Sequence, residues 1–122
     1  MLTERGRLDG QVAFVTGAGG GIGRAIALGL AAAGADVALF EIIPERAEEA
    51  AARIAELGRQ ALILPGDAMD AEALRSAIAA TDARFGRLDI LVNNAGGVSA
   101  RPFLEQSERS WRRHIDINLV SM

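Results

Sequence analysis

Cysteine, tyrosine and lysine are all missing from this sequence of 122 residues, so every one of its thirteen basic residues is arginine. Without cysteine there are no disulfide staples, no thiolate metal centres and no cysteine nucleophile. Without tyrosine and lysine, no mechanism that needs a phenol or an ε-amine can be completed by these residues alone. Long apolar runs are missing too. The longest apolar stretch, 25–35, is interrupted by glycine and flanked by Arg24 and Asp36, whereas a membrane-spanning helix needs about 20 apolar residues. The N-terminus carries Glu4, Arg5, Arg7 and Asp9 and lacks the apolar centre of a secretory signal. Positive charge is not in excess either. A net charge of −3 and a pI near 5.1 leave no electrostatic footprint for nucleic acid. The expectation is a soluble, cytoplasmic protein with neither nucleic acid nor membrane as a partner. Hydrophobic residues at 50% against 24% charged match a globular chain, and the length suits one domain.

Four short apolar runs rich in Val, Ile and Leu recur at 11–16, 36–41, 61–65 and 89–93, each followed by an amphipathic stretch. Runs this short and this apolar suit strands buried on both faces, as in a parallel sheet. The first intervening stretch repeats Ile22, Ile26 and Leu30 and closes at Gly34, where glycine can adopt the left-handed cap. The second places Pro44 in a first turn, then Ala47, Ala50, Ile54 and Leu57 on one face, and stops at Gly58. Leu74, Ile78 and Phe85 mark a third helix closed by Gly86. A fourth starts near Ser107, a good N-cap, and runs through Trp111, Ile115 and Leu119 to the end. Strict β-α alternation implies right-handed crossovers and an α/β, Rossmann-type doubly wound parallel sheet of order 3-2-1-4.

Where the first strand meets the first helix stands Thr16-Gly17-Ala18-Gly19-Gly20-Gly21-Ile22-Gly23. Glycines permit positive φ and let backbone approach a ligand without a Cβ clash. Unpaired N–H groups at a helix start then face a diphosphate. The spacing is G-x-x-x-G-x-G, and its place between strand and helix distinguishes it from a plain turn. Glu41 closes the second strand, where a carboxylate can accept from both hydroxyls of an adenosine ribose; the alternative is a solvated strand-end acid. Facing the ribose, Glu41 would also repel a 2′-phosphate. Two like charges about 4 Å apart at an effective dielectric of 20 repel by about 4 kcal/mol before screening. No arginine adjoins Glu41 in sequence, since residues 42 and 43 are Ile and residue 20 is Gly. NAD is therefore expected over NADP.

These motifs together resemble the short-chain dehydrogenase/reductase family. Thr16-Gly17-(x)3-Gly21-Ile22-Gly23 is similar to its cofactor signature, Asn93-Asn94-Ala95-Gly96 to its N-N-A-G segment, and Gly66-Asp67 to its adenine-contacting acid. Trp111 followed by Asn118-Leu119 resembles its W-(x)6-N-L pattern. The order of the motifs is the family's order, from residue 8 to 122. The resemblance implies backbone contacts to NAD from Gly17, Gly21, Ile22 and Gly23, and an adenine edge held by Asp67 and Ala68. It also implies that Asn94, Ala95 and Gly96 pass beneath the ribose, with Asn93 structural. Asp67 alone also reads as a turn residue. Asn118 resembles the catalytic asparagine, which holds a water in a proton relay. His114 shares its helix face at i and i+4 and reads either as a partner or as a solvated helix residue. Trp111 reads as a core or interface anchor.

The family's next strand brings a catalytic Ser and its next helix a Tyr-(x)3-Lys. The expected chemistry is hydride transfer between the nicotinamide and an alcohol or carbonyl carbon, with Tyr as acid/base. Of that set only Asn118 occurs here. Residues 1–122 are thus expected to be a single dinucleotide-binding domain, truncated after the fourth βα unit and inactive alone. Its substrate in a longer parent would be a small alcohol or carbonyl compound. A non-catalytic nucleotide-binding or interaction module and one half of a split enzyme are the competing readings. An uncovered fourth-strand edge and the apolar face of the last helix lead us to expect a homo-oligomer. The loop 97–106 and its Arg101 suit either a substrate cleft or an ordinary connection.

Overall fold

The computed structural model describes residues 4–96 and 103–120. Residues 97–102, and Arg101 with them, lie outside the described residues. Four apolar runs form the strands β1 (Val12–Thr16), β2 (Asp36–Glu41), β3 (Ala61–Pro65) and β4 (Ile90–Val92). All pair in parallel in the order β3-β2-β1-β4, the order the β-α alternation requires. The helices are α1 (Gly21–Ala32), α2 (Pro44–Glu56), α3 (Ala71–Phe85) and α4 (Glu108–Ile115).

Alternation along β1 and β2 divides the core into two halves. Ala13, Val15, Val37 and Leu39 meet α1 and α2 on one face. Phe14, Ala38 and Phe40 meet α3 on the other, with the two phenyl rings stacked at 5.8 Å. The inner positions of β1 and β2 are therefore apolar on both faces, and their polar residues Thr16, Asp36 and Glu41 stand at strand ends.

The helix faces differ from the sequence expectation. On α1 the buried positions are Gly23, Ala27 and Ala31, while Ile22 is 74% exposed. On α3 they are Ala77 and Thr81 rather than Ile78. Small side chains let each helix axis sit close to the sheet, and the bulkier residues flank that contact line. On α2, Ala47, Ala50 and Ile54 are buried as expected, but Leu57 stands outside at the C-cap.

Helix ends follow local chemistry. Asp70 caps α3 by accepting from the Glu72 and Ala73 N–H groups, and Gly86 ends it at φ +77°. Ser107 caps α4 by accepting from Ser110 N–H. The fourth helix does not continue as an α-helix to the end. It stops at Ile115 and passes into a π-helical turn over Asp116–Val120, a widening that re-aims the side chains after it. The fourth strand keeps only three of its five expected residues, since Asp89 and Asn93 serve as its flanks.

Candidate functional site

All four carboxyl ends of the strands open on the same side, and order reverses between β1 and β4. That is the place where doubly wound sheets bind ligands. A cleft of about 300 Å³ occupies it, bordered by Gly17 and Gly20 after β1, Glu41 and Arg46 beyond β2, Asp67 and Ala68 after β3, and Asn94–Gly96 after β4. Of the residues picked out in the sequence, Gly17, Glu41, Asp67, Ala68, Asn94, Ala95 and Gly96 converge here. Gly21, Ile22 and Gly23 form the first turn of α1 beside it.

The glycine turn is shaped by what surrounds it. Gly17 and Gly21 have φ of +63° and +43°, a region that L side chains enter with strain. A Cβ on Gly23 would stand 2.0 Å from Gly17 O and 2.5 Å from Asn94 Nδ2. A Cβ on Gly19 would meet Arg46 Cβ at 2.6 Å and Glu41 Oε1 at 2.7 Å. Gly20 and Gly21, by contrast, have nothing within 4 Å on that side. The turn is thus packed from below and bare above, which fits a ligand that lies against backbone.

Glu41 is only 6% exposed. Its Oε1 accepts from Gly19 N–H at 3.0 Å and its Oε2 from Ile43 N–H at 3.2 Å. A solvated strand-end acid does not fit this burial. Each carboxylate oxygen retains a further lone pair for a hydroxyl donor. Asp67 Oδ1 accepts from Met69 N–H at 2.9 Å, so it makes the local turn and borders the cleft as well.

The structural asparagine is Asn94 rather than Asn93. Asn94 Nδ2 donates to the carbonyls of Thr16 and Gly17, each at 3.2 Å. Buried Thr16 completes the clasp, with Oγ1 accepting from the Asn94 and Ala95 N–H groups at 3.0 and 2.9 Å. Asn93 is exposed because the chain has left the sheet by then and alternation turns its side chain outward. Asn94 therefore both joins β1 to β4 and lines the cleft.

The π-helical turn carries Ile117 to the cleft and Asn118 to its rim. A Cβ on Gly96 would lie 2.6 Å from Asn118 Oδ1, and Asn118 Nδ2 donates to His114 O at 2.9 Å. The contact to His114 is thus to its carbonyl, while the His114 ring nitrogen Nδ1 sits 2.8 Å from Ser110 O. Among the described residues no three His, Asp or Glu side chains converge as a metal site needs, and no helix is long and apolar enough to cross a membrane. A second, more open hollow of about 520 Å³ lies between Met69 and α4, away from every glycine of the turn.

Sequence reasoning overlooked Thr16, Gly19, Gly20 and Arg46 as members of the site. Thr16 and the two glycines stood inside the quoted motif. Arg46 gave no signal, because only the first turn of α2 returns it to the cleft five residues after Glu41.

Known proteins share this arrangement. The sequence model of the family described as short chain dehydrogenase matches residues 11–122. Short chain dehydrogenase/reductase astE of Aspergillus oryzae is 44% identical over 117 residues, covering 94% of this chain and 45% of the relative. The 2-dehydro-3-deoxy-D-gluconate 5-dehydrogenase of Escherichia coli is 36% identical over 122 residues, covering 100% and 47%. Among solved structures, carveol dehydrogenase from Mycobacterium avium in complex with NAD superposes with a TM-score of 0.88 at 37% identity, over 95% of this chain and 47% of that one. The chain spans about half the length of the curated relatives it matches.

Proposed function

The chain belongs to the short-chain dehydrogenase/reductase family, and from that premise we propose that residues 1–122 are one dinucleotide-binding unit, incomplete against the family fold, that prefers NAD. The observation that carries this reading is the turn packed below by Gly19 and Gly23 and bare above at Gly20 and Gly21, with buried Glu41 beside it. Gly17, Gly21, Ile22 and Gly23 would present backbone to the diphosphate, where helix-start N–H groups favour negative charge. Glu41 would accept from the ribose hydroxyls and disfavour a 2′-phosphate. Asp67 and Ala68 would hold the adenine edge, and Asn94, Ala95 and Gly96 would floor the ribose. When bound, NAD supplies a hydride acceptor for an alcohol or a donor for a carbonyl.

Within this reading Asn118, on the π-helical turn, would hold a water for proton transfer to a small alcohol or carbonyl substrate. The sequence has no Tyr and no Lys for the acid/base pair that the family uses. These 122 residues are therefore expected to bind the nucleotide without turning over an alcohol. Titration calorimetry of the folded chain with NAD tests the binding. Saturable heat with one site per chain is the expected result, and no heat with no thermal shift overturns it. NADH formation from secondary alcohols by this chain alone would overturn the expectation of inactivity.

A further inference from the structure

Helix α4 carries three arginines on one face. Arg109, Arg112 and Arg113 stand at i, i+3 and i+4, and Asp116 follows at i+7. All four border the hollow of about 520 Å³ beside Met69, together with Glu108. Helix stability does not account for the arrangement. Like charges three or four residues apart oppose a helix. The dipole favours Arg112 and Arg113 in the last turn but disfavours Arg109 in the first. No residue of α4 is buried to offset this. Among the described residues only Arg112 of the three has a counter-ion, Glu108 at 2.7 Å, and Asp116 pairs with none of them. Unpaired arginines occur elsewhere on the surface; the convergence of three on one hollow sets these apart. The hollow adjoins the cleft, since Ala68 and Ile117 border the cleft while their neighbours Met69 and Asp116 border the hollow.

We propose that this hollow is a second ligand site, which takes a compact polyanion bearing two or more adjacent oxyanion groups. A guanidinium fork binds phosphate and carboxylate oxygens in pairs. Arg109 and Arg113, with Cβ atoms about 5–6 Å apart at this helical spacing, suit two oxyanion groups of one molecule. Such a ligand turns their mutual repulsion into a shared attraction. Arg112 joins them by leaving Glu108, because an exposed ion pair holds it weakly. Glu108 and Asp116 oppose any anion, so a single negative charge gains little there and a polyanion is required. The site is independent of the nucleotide reading, since no residue assigned to the nucleotide lines the hollow.

Trp111 supplies a built-in reporter. It is the only tryptophan of the sequence, and the Arg112 guanidinium carbon lies 5.8 Å from its ring centroid. The test is titration of the folded chain with inorganic pyrophosphate and, separately, with citrate, at constant ionic strength so that general screening stays fixed. Trp111 emission and calorimetric heat are read together. At least one of the two anions is expected to saturate with a Kd of about 1 mM or tighter. Pyrophosphate alone would mark a phosphate site, citrate alone a polycarboxylate site, and both a site for either; each supports the proposal. Arg109, Arg113 and Asp116 are exposed, so their variants should keep the fold, which circular dichroism checks. Arg109→Gln and Arg113→Gln should each weaken binding about fivefold, the upper worth of an exposed ion pair, and Asp116→Asn should strengthen it. No saturation by either anion overturns the proposal. Saturation that is unchanged in both arginine variants would put the anion elsewhere, such as at the glycine turn, and overturns it too.

Discussion

At the scale of single residues, two glycines of one turn carry different burdens. A Cβ on Gly23 would drive into the Gly17 carbonyl and the Asn94 amide, so backbone has to move. Gly23→Ala is expected to cost about 1–3 kcal/mol, the range for overpacking, and to loosen the Asn94 clasp as well. Gly20 has an extended φ of −132° and open space around its Cβ position. Gly20→Ala is therefore expected to stay within about 0.5 kcal/mol of the wild type in stability. Yet Gly20 borders the cleft, and a methyl group there holds a ligand away from the backbone. Denaturant midpoints and NAD titration together separate the two roles: Gly23→Ala should lose stability and binding, and Gly20→Ala binding alone. Equal binding by Gly20→Ala and the wild type would count against a ligand lying on that side. The motif made these glycines visible in the sequence. Which of them face protein and which face open space was not, because it depends on Glu41, Arg46 and Asn94, all distant along the chain.

Among the elements, β4 is the shortest strand, and its start is tied down by one aspartate. Asp89 Oδ2 accepts from Val12 N–H at 2.8 Å, and Asp89 N–H donates to Val12 O at 2.9 Å. Arg87 grips the same carboxylate at 2.8 and 2.7 Å. Hydrogen bonding from Arg87, then from the Val12 N–H, holds the Asp89 carboxyl below the ordinary aspartate range. A depressed native value means that the stabilisation is present above the unfolded-state pKa and is lost as pH falls through the native one. Asp89→Asn should thus melt lower than the wild type near neutrality, and the gap should close below about pH 4. Thermal melts from pH 7 to 3 check this; a gap constant across that range would show that the ionised carboxylate contributes nothing. Strand positions were legible because burial on both faces writes continuous apolar runs. Helix faces were less so. A contact line built from Gly23, Ala27 and Ala31 has no bulky periodicity, whereas Ile22, Ile26 and Leu30 next to it do. The change at Ile115 from α to π geometry was not legible at all, since residues 116–120 continue an ordinary amphipathic pattern.

On the molecule as a whole, exposed apolar side chains stand at the β4 edge and on α4 with the turn after it. Leu91 of β4 is 53% exposed, and among the described residues β4 pairs only with β1. Helix α4 has no buried residue, and Trp111, Ile115 and Leu119 on it and the following turn stand 41%, 46% and 67% exposed. Full burial of one large apolar side chain is worth about 1.5–3 kcal/mol, so a half-exposed one has about 1 kcal/mol left to gain. Three of them on one helix amount to about 3 kcal/mol, short of the 4–15 kcal/mol that association costs. A two-fold axis uses the same patch twice, which raises the gain to about 6 kcal/mol, inside that range. Pairing at the open β4 edge would add backbone hydrogen bonds to it. The expected state is therefore a weak, self-complementary association that sedimentation velocity should detect as concentration-dependent at micromolar chain. Leu119→Glu should shift it toward monomer if the helix supplies the contact, and Leu91→Arg should do so if the strand edge does. A wild type that sediments as one compact monomer at every concentration would show that neither surface suffices.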